Sequence, residues 1–163
     1  MTDRFGQELS NLSRTYQWSL TTPIEKLTAF IQNCHELPLL SIGSGGSFTA
    51  AQMAALLHLR TGMMANAITP LSLTSFDSAL QNAAVLFFTA SGRNSDILSA
   101  FRYTSLSDAR RVMALCMNQN SPLSQLSRKF QFTENLEFEP PIQKDGFLAT
   151  NSLLAFLINL LRA

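Results

Sequence analysis

The segment AAVLFFTASGRNSD, residues 83–96, decides the fold that this sequence predicts. Its first part is a continuous apolar run of strand length, which is typical of a parallel β-strand buried on both faces. The run ends in a glycine turn, and a helical pattern follows from about Asn94 to Ser107. A buried strand, a short polar loop and a helix form the repeating unit of α/β proteins.

The same unit recurs on both sides of this segment. LPLLSIG at residues 37–43 predicts a strand that ends in glycine, and a helix follows from about Ser47 to Arg60. RVMALCMN at residues 111–118 predicts another strand. The helix behind it is predicted to begin with Ser121 as its cap and Pro122 at its first position.

Weaker patterns complete the chain. They predict strands at residues 64–73 and 135–139, helices at residues 3–18 and 23–34, and a last helix from about Asp145. Strands with apolar interiors that alternate with helices predict an α/β fold, in which a parallel sheet lies between two layers of helices.

The length of 163 residues fits one domain. We expect a single domain over residues 1–163, with N-terminal helices over residues 1–36 and an α/β core over residues 37–163. The chain stops directly after the last predicted helix. We therefore also expect it to be the N-terminal domain of a longer protein.

The charge pattern limits the partners of the protein. Charged residues make up 14% of the chain, below the roughly 25% that is usual, which favours burial of surface in a homodimer or larger oligomer. The formal charge of +1 and the absence of a basic run exclude a nucleic-acid-binding footprint.

Targeting and cofactor signals are also missing from the sequence. No apolar stretch is long enough to span a membrane, and the N-terminus lacks the core of a signal peptide. The two cysteines, Cys34 and Cys116, do not have the spacing of a metal site. We therefore expect a cytoplasmic protein with buried thiols, no membrane contact, no metal and no cofactor.

Two loops carry the residues for a binding site, Gly43-Ser44-Gly45-Gly46-Ser47 and residues 89–95. Each follows a predicted strand, and ligands of open parallel sheets bind at the carboxyl ends of the strands. Glycine lets the backbone approach a ligand, the first N–H groups of a helix attract anions, and hydroxyl groups add donors. The pattern indicates a site for a phosphate monoester without lysine. A tight strand–helix turn with a serine cap is the alternative for each loop.

Other phosphate and nucleophile motifs do not fit. A dinucleotide fingerprint requires glycine at position 48, where this chain has Phe48. No lysine-containing phosphate loop is present, and Ser91 does not lie in the glycine-flanked turn of a hydrolase nucleophile.

Four segments, taken in order, resemble the motifs of the SIS (sugar isomerase) family: SIGSGGSFTAA (41–51), FFTASGRNSDIL (87–98), ALCMNQNSPLSQLSR (114–128) and KDGFLATNSLLA (144–155). The resemblance extends from about residue 24 to 160. It implies a flavodoxin-like three-layer α/β/α sandwich with a five-stranded parallel sheet, and a sugar phosphate ligand. The implied ligand contacts are Ser47, Thr89, Ser91 and Asn94, and the two loops add Ser44, Gly45, Gly46 and Gly92.

The sequence departs from the family pattern at three positions. Thr89 stands where serine is usual, and Asn94 where threonine or serine is usual, although both keep the capacity to form hydrogen bonds. In isomerase members a glutamate before the last helix acts as the base. Here Lys144 takes that position, with Asp145 beside it.

Candidates for catalysis follow from this departure, because aldose–ketose isomerisation needs a base. Asp145 is the best-placed candidate base, with a helix N-terminal acid as the alternative role. Glu137 and Glu139 are further candidate bases, and Lys144 is a candidate contact to an anionic sugar. His58 is a candidate acid or base, with a packed histidine as the alternative.

The sequence also leaves open the roles of the two histidines and of Arg93. His35 or His58 is able to serve the site of a neighbouring subunit, as happens in this family. Arg93 in the second loop is either a partner for a phosphate or a solvated arginine.

Three functions remain open on the sequence alone. The first is a phosphosugar-binding SIS domain, which serves as a sensing module of a larger protein. The second is a phosphosugar isomerase or lyase with an atypical base. The third is a structural dimerisation domain that has lost binding. The hydroxyl loops favour the first two functions, and the missing glutamate favours the first over the second.

Overall fold

The computed structural model describes residues 4–76, 80–141 and 150–163, and side chains from residue 6 onward. The strands are β1 Leu39–Ile42, β2 Ala65–Ile68, β3 Ala84–Thr89, β4 Arg111–Cys116 and β5 Thr133–Glu137. The helices are α1 Arg4–Ser10, α2 Leu12–Thr21, α3 Glu25–Cys34, α4 Gly46–Leu59, α5 Ser95–Leu106, α6 Pro122–Ser127 and α7 Thr150–Arg162. A 3₁₀ helix, η1 Pro70–Phe76, follows β2.

The five strands form one parallel sheet in the order β2-β1-β3-β4-β5. At the carboxyl end of β1, Ile42 lies opposite Ile68 of β2 on one side and Phe87 of β3 on the other. This order and direction are those of the flavodoxin-like sheet, so the predicted fold is confirmed.

Alternate side chains of β3 enter two separate cores. Leu86 and Phe88 contribute to the core beneath α3, α4 and α7, whereas Val85 and Phe87 contribute to the core beneath α5 and α6. Edge-to-face contacts tie each helix layer to the sheet: the ring centroids of Phe88 and Phe156 are 5.4 Å apart, and those of Phe87 and Phe101 are 5.3 Å apart. The sheet is therefore covered on both faces, as its apolar strands predict.

Several element boundaries differ from the prediction. The helix predicted at residues 3–18 is divided into α1 and α2 at Asn11, and α2 continues to Thr21. The strand predicted at residues 64–73 ends at Ile68, because Pro70 has no N–H for a strand ladder and instead begins η1.

The last two predicted elements show further differences. The strand predicted at residues 135–139 lies two residues earlier, at Thr133–Glu137. It is an edge strand with every residue partly exposed, so its boundary has no apolar signal. The start predicted for the last helix, at Asp145, lies outside the described residues, which include this helix from Thr150. Within the described ranges, no helix is long and apolar enough to cross a membrane.

Candidate functional site

The strand order creates a crevice at the carboxyl end of the sheet. From β1 the chain passes through α4 to β2 on one side, and then returns to β3 on the other side of β1. Loop 1 (residues 43–47) leaves β1, and loop 2 (residues 89–95) leaves β3, its direct neighbour. The two loops therefore flank the point where the chain reverses direction across the sheet, which is where open α/β sheets bind ligands.

Loop 1 brings the start of α4 against the end of β1. A Cβ atom at Gly43 would overlap the main-chain carbonyl group of Ser47, so only glycine allows this approach. Gly45 is the cap residue of α4 and has no side chain with which to satisfy the first N–H groups. Within the described parts of the chain, the N–H groups of Gly45 and Gly46 donate to no protein atom. Ser47 is 9% exposed at the helix start, and Ser44 is exposed.

Loop 2 uses its polar side chains as acceptors for its own backbone. Thr89 Oγ1 accepts the N–H of Gly92 at 3.2 Å, and Ser91 Oγ accepts the N–H of Arg93 at 3.3 Å. Asn94 Oδ1 caps α5 by accepting the N–H groups of residues 96 and 97, both at 3.0 Å. A hydroxyl that accepts through a lone pair still has its O–H to donate, and the Asn94 side chain keeps its amide donors.

Loop 3 (residues 117–121), which leaves β4, supports loop 2 from the other side. Gly92 has a φ of +64°. A Cβ atom there would come within 2.5 Å of Ser121 Oγ and 2.9 Å of Cys116 Sγ. The N–H of Leu123 donates to the Gly92 carbonyl at 3.1 Å. Loop 2 therefore rests directly on the start of α6.

Glu137, at the end of β5, binds loop 3. Its Oε1 accepts the N–H of Ser121 at 3.1 Å and the Ser121 hydroxyl at 3.0 Å, and its Oε2 accepts the N–H of Asn120 at 3.2 Å. The sequence predicts Ser121 only as a helix cap and Glu137 only as a candidate base. Their contact is not predictable from the sequence, because nothing in the sequence indicates the register of β5 beside β4.

Loops 1 and 2 themselves carry little charge. Arg93 is the only charged residue in loops 1 and 2, and it is exposed. Burial raises the pKa of the Cys116 thiol, partly offset by a hydrogen bond with Ser121, so this thiol beneath loop 2 is neutral at physiological pH. The site is therefore built from neutral donors.

The structure separates His58 from the loops. It lies near the far end of α4, where Nε2 donates to the Leu37 carbonyl at 2.8 Å, and it is 7% exposed. Twelve residues along a helix from Gly46 correspond to about 18 Å. The contacts of His58 are those of a packed histidine. His35 is exposed and lies 3.5 Å from the Glu36 carboxylate.

The remaining candidates for catalysis are placed as follows. Lys144 and Asp145 lie outside the described residues. Glu139 is exposed just after β5. A cavity of about 540 Å³ opens beside β5 and α6, and it is lined by Glu137 and Asn120 but by no residue of loop 1 or loop 2.

No profile of a known protein family and no curated protein sequence matches the chain. Solved structures do match it. One is a Listeria monocytogenes protein with a proposed sugar-phosphate isomerase activity: the TM-score is 0.76 at 15% identity, over 98% of this chain and 84% of that one. Another is the Vibrio vulnificus NanR protein in complex with ManNAc-6P, with a TM-score of 0.73 at 21% identity, over 98% of this chain and 60% of that one.

A third match is an E. coli protein in complex with a sugar phosphate, with a TM-score of 0.65 at 13% identity, over 99% of this chain and 94% of that one. At these identities the likeness establishes the fold. The chain thus has the same α/β fold as proteins that have been solved with sugar phosphates, and the fold that the SIS resemblance implies is confirmed.

Proposed function

We propose that this chain is an SIS domain that binds a sugar phosphate between loop 1 and loop 2. The observation that supports this most strongly is the position of the loops. Both leave neighbouring parallel strands at the reversal point of the sheet, and each leads into the start of a helix, α4 or α5. In this proposal Ser44, Gly45, Gly46 and Ser47 line one side of the phosphate, and Thr89, Ser91, Gly92 and Asn94 line the other.

The chemistry of the loops suits a phosphate monoester. A fully ionised phosphate has several acceptor oxygens and no donors, so it needs converging donors. Among the residues that the structure describes, no protein atom accepts from the backbone N–H groups of Gly45 and Gly46, the hydroxyl groups of Thr89 and Ser91, or the Asn94 amide. Helix N-termini add a favourable field for an anion.

Binding takes precedence over catalysis in this proposal. Of the candidate bases, Glu137 is engaged in hydrogen bonds to loop 3. His58 lies at the far end of α4. The fold itself occurs in a longer chain, since this chain matches 60% of NanR. We therefore infer a sensing module of a larger protein, with residues 1–36 as N-terminal helices on the α/β core of residues 37–163.

We also propose a homodimer or larger oligomer in the cytoplasm. The outer side of α4 carries Leu56 and Leu59, which are 61% and 47% exposed, and the nearby Met64 is 79% exposed. A second copy of this chain would cover such apolar surface. The free thiols of Cys34 and Cys116 suit a reducing compartment. Light scattering at high micromolar concentration should return at least twice the mass of one chain, and a single-chain mass would contradict the oligomer.

Calorimetric titration of the natural protein tests the ligand. The panel contains hexose and pentose phosphates, the same sugars without phosphate, and inorganic phosphate. We expect at least one sugar phosphate to bind with a Kd at or below the millimolar range, and its unphosphorylated sugar to bind far more weakly. If no sugar phosphate binds at millimolar concentration, the structural dimerisation domain becomes the better interpretation. Conversion of the bound aldose to a ketose, followed by NMR, would instead favour an isomerase.

A further inference from the structure

One carboxylate connects the edge strand of the sheet to loop 3. Glu137, the last residue of β5, accepts three hydrogen bonds, two from Ser121 and one from the N–H of Asn120. Asn120 has a φ of +52°, a conformation that residues other than glycine adopt at a cost. An ionised carboxylate acts only as an acceptor, and its hydrogen bonds are stronger than those of a neutral group. Glu137 thus stabilises a strained loop in one conformation.

Ser121 passes this constraint to loop 2. Its hydroxyl donates to Glu137 and accepts the N–H of Ser124 at 3.1 Å, so both the oxygen and the proton are fixed in direction. The same hydroxyl lies against Gly92, with no room for even one added carbon atom. Leu123, two residues on, donates its N–H to the Gly92 carbonyl at 3.1 Å. A shift of Ser121 towards loop 2 would therefore displace the backbone of Gly92.

We propose that Glu137 is a positioning residue for ligand binding: through Ser121 it holds Gly92 and the rest of loop 2 in the conformation that binds the phosphate. This inference rests on the proposed function, which assigns loop 2 to the ligand. Glu137 touches no ligand in this arrangement. Glu137 then acts indirectly, through Ser121, and not as a base, because all of its described hydrogen bonds are to loop 3.

Three variants separate this role from general stability. Glu137→Ala removes all three acceptors. Glu137→Gln keeps a carbonyl oxygen for Ser121 but presents an amide to the N–H of Asn120. Val112→Ala is the control. Val112 is 1% exposed near the amino end of β4, which is the end of the sheet opposite the loops. The variant opens a small cavity there and so lowers the stability of the protein.

Two measurements are made on each variant: the Kd for the hexose or pentose phosphate that binds the natural protein most tightly in the calorimetric panel, and amide hydrogen exchange of residues 91–95 without ligand. Glu137→Ala should raise the Kd about tenfold or more, equivalent to about 1.4 kcal/mol or more, and should speed exchange in loop 2. Glu137→Gln should recover part of both losses, and Val112→Ala should leave the Kd unchanged. Should the alanine variant fail to fold, the glutamine variant still tests the proposal, with smaller changes in the same directions.

The outcomes distinguish this inference from the proposed function. If Glu137→Ala binds as the natural protein does and its loop 2 exchange is unchanged, the positioning role is wrong. An equal rise in Kd for Val112→Ala would also overturn it, because stability alone would then explain the effect. If the natural protein binds no sugar phosphate, the proposed function fails, and the exchange comparison still decides whether Glu137 holds loop 2.

Discussion

The hydroxyl of Ser121 lies so close to the backbone of Gly92 that a Cβ atom at residue 92 would be 2.5 Å from it. This contact joins two loops that leave the carboxyl ends of the neighbouring strands β3 and β4. It makes the shape of loop 2 depend on a residue about thirty positions further along the chain. The consequences for stability and for binding are both measurable.

Gly92→Ala should destabilise the protein more than Gly45→Ala. Both glycines have a positive φ, +64° and +57°, so alanine adds backbone strain at each. Only at position 92 does the new methyl group meet other atoms, those of Ser121 and Cys116. We expect Gly92→Ala to lose about 1–3 kcal/mol more in the free energy of unfolding by urea, the cost of overpacking. Equal losses for the two variants would show that loop 2 can move away from Ser121.

Ser91→Ala should weaken sugar phosphate binding and leave the fold intact. The variant removes one donor to a charged ligand, worth about 1.5–3 kcal/mol, which corresponds to a Kd about tenfold or more higher. Within the protein, the variant loses only the 3.3 Å hydrogen bond that the N–H of Arg93 donates to Ser91 Oγ. Calorimetry against Ser99→Ala, a serine on α5 outside the loops, provides the comparison. An unchanged Kd for Ser91→Ala would mean that the phosphate lies elsewhere.

Asn94→Asp should separate helix capping from ligand binding. Aspartate caps a helix as well as asparagine does, and its charge is favourable at a helix N-terminus, so the melting temperature should stay the same or rise. The same change removes an amide donor and adds a negative charge beside the phosphate, so the Kd should rise more than tenfold. Asn94→Ser, which keeps a neutral cap, should bind nearly as the natural protein does. Tight binding by Asn94→Asp would exclude Asn94 from the site.

The stability of the protein should fall as the pH rises from about 9 to 11. Burial raises the pKa of the Cys34 thiol from 9.0 to about 11, with a smaller opposing effect of Arg111. Above pH 9 the thiol ionises in the unfolded chain but not in the folded one, so unfolding becomes more favourable with each added pH unit.

Cys34→Ala provides the comparison for this pH effect. Between pH 8 and 10.5, under reducing conditions, the free energy of unfolding should fall by about 1–2 kcal/mol more in the natural protein than in the variant. Equal falls in the two proteins would show that the thiol is not buried.

Much of the fold could be predicted from the sequence, because a strand that is buried on both faces has an unmistakable composition. The segment at Ala84–Thr89 is apolar at almost every position, and it is buried throughout. The edge strand β5 is different: it has only half-buried residues, and its polar sequence TENLE resembles that of a loop. The sequence pattern therefore placed this strand two residues too late.

The sequence predicts the candidate site as two separate loops, and the structure adds the contacts that support loop 2 from β4 and β5. Residues 43–47 and 89–95 are recognisable because glycine and hydroxyl residues follow apolar runs. The support from Ser121 and Glu137 depends on which strands are neighbours and in what register, and no local pattern contains that information. The same limit applies to His58, whose distance from the loops follows only from the length of α4.

Loops 1 and 2 together contain a single charged residue, Arg93, and this has a consequence for kinetics. Hydroxyl, amide and backbone N–H groups are neutral dipoles, so a site built from them attracts an anion only at short range. Salt screens long-range attraction between charges. The long-range attraction between these loops and an anion is already small at low salt. The association rate of a sugar phosphate should therefore change little between low and physiological ionic strength. Selectivity for the ligand would then come from how long it stays bound, since the loops recognise it only after contact.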